Sequence, residues 1–159
     1  MGKIDNFSKS EITNADMDKI RSSIEAEVDT QNGALSVDYN EFKQIYNYVS
    51  RYVNRNENKV QNVLFILSAN GGATLADDVL ERAMYNLNLA VISTLRKVDV
   101  GTVFSKNQYI VLLTDTDMVS AKDVATRVKE KYDEIEGVHF SVLEYEIQTM
   151  KAKNTHHMY

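Results

Sequence analysis

The sequence predicts an α+β fold, a ferredoxin-like βαββαβ core with an antiparallel sheet, preceded by extra N-terminal helices. Three observations carry this. VQNVLFILSA, residues 60–69, is an unbroken apolar run of the kind that fills a central strand buried on both faces. VDVGTVF (98–104) and QYIVLL (108–113) are β-rich segments at hairpin spacing. Long helical patterns over 74–96 and 118–135 alternate with these strands, and VHFSVLEYEI (138–147) closes the series as a fourth strand.

The elements follow in chain order. After a leader, Thr13 and Asp16 offer a cap for a helix reaching about Val28, with Met17, Ile20, Ile24 and Val28 in a narrow apolar stripe that either packs on the main body or pairs with a second copy. Gln31, Asn32 and Gly33 break it. Asp38 and Glu41 open the next helix, with Phe42, Ile45, Tyr46, Val49, Tyr52 and Val53 on one face, and its tyrosines read as half-buried core. Asn54 to Asn58 form a polar turn before the first core strand, which Gly71 and Gly72 end. Thr74 and Asp77 are the expected cap of a helix carrying Val79, Leu80, Ala83, Leu87, Val91 and Leu95 inward. Ser120 and Asp123 are the expected cap of the last helix, whose face is Ala121, Val124, Ala125, Val128, Tyr132 and Ile135 and whose stop is Gly137. The organisation is thus a leader and helix over 1–34, one domain over 35–150, and a frayed tail over 151–159.

Composition narrows the function classes. The chain of 159 residues has no cysteine, so disulfides, thiolate metal sites and Cys nucleophiles are excluded. Its net charge of −5, with Lys and Arg scattered among acids, offers no basic face for a nucleic acid. No apolar run approaches a membrane span and the amino terminus lacks a secretory signal, so a cytoplasmic location is expected. Proline is absent, in keeping with long elements and few rigid turns.

LRKVDVGTVFSKNQYIVLL, residues 95–113, resembles the GGDEF (diguanylate cyclase) family of bacterial signalling proteins, in which an Arg and an Asp precede a signature hairpin and an apolar strand follows it. The resemblance extends over about residues 38–147 and implies the nucleotide-cyclase type of βαββαβ fold. It places Ser105, Lys106, Asn107, Gln108 and Tyr109 where the family has Gly, Gly, Asp or Glu, Glu and Phe, so the aromatic class alone is kept. It also places Ser68 and Asn70 where the family's first core strand ends in metal-binding acids. The family's opening Asp, Leu, Thr, Gly, Leu, Asn, Arg motif is not recognisable. The chain is also shorter between Asn70 and Leu80, where the family carries its guanine-binding Asn and Asp.

The departures bear on mechanism. Cyclase chemistry needs two divalent cations, and magnesium relies on carboxylates, for which the neutral oxygens of Ser68, Asn70 and Gln108 are weak replacements. Side chains at 105 and 106 obstruct the close phosphate approach that a glycine pair allows. No metal or cofactor is therefore expected. Arg96 and Asp99 keep the spacing of the family's inhibitory motif for cyclic di-GMP. Two readings stand side by side: a guanine and phosphate site, or a helix end followed by a turn.

Asp115 and Asp117 read as turn and cap residues with cation binding as the lesser alternative. His139, His156 and His157 have no third ligand at metal spacing. The expected function is that of a degenerate, catalytically inactive domain working through protein contacts, with other domains of a longer signalling protein or with a second copy. A cyclic di-GMP or nucleotide sensor is the first alternative, and an active cyclase the second.

Overall fold

The computed structural model describes residues 16–24, 34–53, 59–72, 74–136 and 141–152. The chain divides into two units, 1–31 and 32–159. In the first, α1 (16–24) carries Met17, Ile20 and Ile24, each more than half exposed. Thr13 and Val28 lie outside the described residues.

The second unit runs β1 (Leu35–Ser36), α2 (Tyr39–Ser50), β2 (Gln61–Ala69), a 3₁₀ turn (Asn70–Gly72), α3 (Asp77–Thr94), β3 (Val100–Ser105), β4 (Gln108–Leu113), α4 (Met118–Glu136) and β5 (Ser141–Thr149). The sheet order is β1-β3-β4-β2-β5, with β1 parallel to β3 and the other neighbours antiparallel. From β2 onward this is the expected βαββαβ arrangement. β1 escapes the sequence reading because two residues are too few to show alternation.

Alternation along the strands separates two cores. Val63, Phe65 and Leu67 of β2 with Tyr109, Val111 and Leu113 of β4 point to one face, where α3 supplies Ala83, Leu87 and Val91 and α4 supplies Ala121, Ala125, Val128 and Tyr132. Each large apolar side chain sunk here contributes about 1.5–3 kcal/mol of transfer free energy, which is why the two helices hold to the same face. The other face takes α2, through Phe42 against Val100 and Leu112. Helix α2 thus covers the side opposite α3 and α4, a placement that periodicity cannot give.

Several boundaries differ from expectation. Thr74 does not cap α3, whose N-cap is Ala76 without a side-chain bond. At α4 the cap is Asp117, whose carboxylate accepts from Ser120 N at 2.8 Å, so Ser120 and Asp123 already lie inside the helix. Asp38 does cap α2, accepting from Glu41 N at 2.8 Å. That helix ends at Ser50, and Tyr39, Tyr48 and Tyr52 are exposed rather than half-buried. β3 starts at Val100 rather than 98 and bulges between Val103 and Ser105. β5 extends to Thr149, and residues 138–140, with Gly137 and His139, lie outside the described residues.

Candidate functional site

The β3–β4 hairpin turns at Lys106 and Asn107, with Ser105 opposite Gln108. The Ser105 hydroxyl lies 2.8 Å from Gln108 Oε1 and 3.1 Å from Asn107 Oδ1. Asn107 reaches across to β2: its side-chain amide donates to Leu67 O at 3.1 Å, and its backbone carbonyl accepts from Leu67 N at 2.8 Å. The ladder therefore runs one rung past Ile66 and Gln108 and brings the hairpin tip beside Ser68. Since Ile66 and Gln108 are paired, Ser68 and Gln108 share the face of the sheet that α2 occupies. Asn70 follows in the 3₁₀ turn, where Gly71 at φ 80° takes a left-handed conformation that suits glycine.

Tyr109, which the resemblance sets at the signature's aromatic position, points to the other face. Its ring lies over Gly101, where an added Cβ would stand 2.7 Å from Cε1, and its hydroxyl donates to Asn88 Oδ1 at 2.9 Å. Burial pushes the phenol above its ordinary pKa. The aromatic is a core anchor tying β4 to α3, and the missing side chain at Gly101 makes room for it.

Beside the hairpin, between the start of α3 and β3, opens a cavity of about 360 Å³. Asp77, Leu80, Glu81, Met84, Val103, Ser105 and Lys106 line it. Two carboxylates one helical turn apart line it beside Leu80, Met84 and Val103, and Lys106 is the cation among the described lining residues. Sequence reasoning singled out Ser105 and Lys106 but missed Asp77 and Glu81, because only the fold brings the first turn of α3 to the bulged strand.

Arg96 and Asp99 lie at the opposite end of β3 and β4, about 20 Å of strand away. Asp99 is buried, and its carboxylate accepts from Arg96 N at 2.9 Å, Nε at 3.2 Å and Nη2 at 3.0 Å. Nη2 also donates to Thr114 O at 2.6 Å and to Thr116 Oγ1 at 3.0 Å. The bond to Asp99 raises the arginine's pKa further, so the guanidinium stays charged. The motif ties the turn before β3 to the segment after β4. Asp115 sits at φ 48° in that segment, a turn conformation, and Asp117 caps α4. Among the described residues no group of three or more His, Asp or Glu stands close enough to hold a metal. No helix among them is long and apolar enough to cross a membrane.

The five-stranded sheet and its helices form the fold of diguanylate cyclase proteins. The chain is similar to a DGC protein from Thermotoga maritima, with a TM-score of 0.56 and 13% identity over 77% of this chain and 88% of that one. It is also similar to the diguanylate cyclase SiaD from Pseudomonas aeruginosa, solved in complex with its activator SiaC, with a TM-score of 0.62 and 13% identity. That match covers 94% of this chain and 61% of SiaD. No protein-family model matches the chain, and no curated protein matches it in sequence.

Proposed function

We propose that the chain is a signalling domain of diguanylate cyclase fold that forms no cyclic di-GMP and acts through contacts with protein partners. The observation that carries the reading is the chemistry at the end of β2 and the hairpin tip. Ser68, Asn70 and Gln108 supply neutral oxygens where a two-metal mechanism needs carboxylates, and hairpin polar groups bond to one another and to Leu67. Among the described residues the neighbouring cavity has two carboxylates against one ammonium, an unfavourable balance for a triphosphate. A neighbour in fold solved with a protein activator supports contact with protein as a mode open to this architecture.

Calorimetric titration with GTP in magnesium or manganese tests the reading. It expects no metal-dependent heat, and saturable binding that needs the metal would overturn it. A second reading, a cyclic di-GMP sensor, rests on the half-exposed guanidinium of Arg96. The dinucleotide would have to compete for a fork already holding Asp99, Thr114 and Thr116, so this reading expects Arg96 to let go of them on binding.

A further inference from the structure

The sheet is protected unequally at its two edges. One edge ends in the two-residue β1, too short to template another strand. The other is β5, nine residues paired with β2 from Ser141 to Thr149 without a register shift, and with no proline or lysine in it. Among the described residues no strand pairs along its outer side. A long regular edge of this kind presents a row of backbone groups on which another strand can add.

Its pairing pattern tells which groups face outward. Met150 N donates to Val60 O at 2.8 Å, and the backbone groups of Leu67 bond to Asn107 of the hairpin turn rather than to β5. Antiparallel alternation then directs the even-numbered residues of β5 toward β2, and turns N–H and C=O of Leu143, Tyr145 and Ile147 to the open side. On the face away from α4, Glu144 and Glu146 are both exposed at successive positions of one face. On the other, Tyr145 and Ile147 are only partly covered.

These charges decide the occupant. A second copy paired antiparallel about Tyr145, the register that uses the whole strand, would set Glu144 against Glu146 twice, and like charges directly opposite are destabilising. We propose that β5 is a strand-addition site for an extended basic segment of a partner protein, with Lys or Arg at alternate positions opposite Glu144 and Glu146. Apolar residues between them would cover Tyr145 and Ile147. The inference rests on the reading of the domain as one that works through protein contacts, and it names the surface and the partner's chemistry.

The probe is a synthetic eight-residue peptide of alternating valine and lysine, added to the full chain at low salt and followed by backbone amide NMR. A peptide of the same composition with its valines and lysines in separate blocks is the control. The expected result is saturable binding of the alternating peptide over the control, with new hydrogen-exchange protection at the amides of Leu143, Tyr145 and Ile147. Glu144→Lys with Glu146→Lys, both exposed and harmless to the core, should weaken binding by about tenfold or more. The doubly reversed chain should in turn bind the alternating valine–glutamate peptide. Binding indifferent to the charge reversal, protection elsewhere, or no binding at millimolar peptide would overturn the proposal. Each of these leaves the wider protein-contact reading standing, because that reading falls on metal-dependent binding or turnover of GTP instead.

Discussion

Replacing Arg96 with alanine removes the partner of a buried carboxylate, and the structure sets the size of the effect. Asp99 would keep the bond from Arg96 N but lose two guanidinium bonds, and Thr114 O and Thr116 Oγ1 would lose a donor. Removing one member of a fully buried ion pair costs about 3–5 kcal/mol. Here the Asp99 side chain is 2% exposed but that of Arg96 is 52% exposed, so water takes over part of the lost solvation and the expected cost falls to about 2–3 kcal/mol. In urea, with a slope of about 1–3 kcal/mol/M, the unfolding midpoint should drop by about 0.7–3 M with an unchanged slope. Arg96→Lys should recover only part of this, because an ammonium cannot reproduce the fork. A midpoint for Arg96→Ala within about 0.3 M of the unmodified chain, little more than the scatter expected of a neutral surface substitution, would refute the clamp. It would return Arg96 to the position of a residue held ready for a ligand.

Gly101→Ala should cost about 1–3 kcal/mol, because its Cβ would stand 2.7 Å from Cε1 and 2.9 Å from the hydroxyl of Tyr109. In a double-mutant cycle with Tyr109→Leu, the two denaturation costs should be clearly less than additive. At α4, the bond from Ser120 N holds the Asp117 carboxyl below its ordinary value. The stability it contributes is therefore present above the unfolded carboxylate range and lost as pH falls through the lower folded value. Asp117→Asn keeps a neutral cap, so its thermal midpoint should approach that of the unmodified chain as pH is lowered from about 6 to about 2. A gap that widens with acid would show the sign to be wrong.

The strands and main helices were legible because burial imposes period: the apolar run of β2 and the stripes of α3 and α4 follow from residues that must meet a core. The caps were legible only by type. An Asp three residues before a free N–H does the work at α2 and α4, but sequence alone shifted the α4 cap from Asp117 into the first turn of the helix. The face chosen by α2 was not legible, since it depends on which side of the sheet α3 and α4 leave open. The segment that resembles the family's signature could be located by its spacing to Arg96 and Asp99. The cavity beside it could not, because Asp77 and Glu81 meet Ser105 and Lys106 only through the packing of α3 on a bulged strand. Tyr109 shows the same limit from the other side: its aromatic class was readable, while its seat over Gly101 and its bond to Asn88 are properties of the fold.

The account turns on Ser68, Asn70 and Gln108 being unable to assemble a two-metal site, and turnover of GTP tests this directly. The full chain is incubated at length with GTP and either magnesium or manganese, and the products are separated by chromatography beside a no-protein control. The account predicts GTP recovered unchanged and no cyclic di-GMP with either metal. Dinucleotide that rises with protein concentration and disappears when the metal is chelated would contradict it.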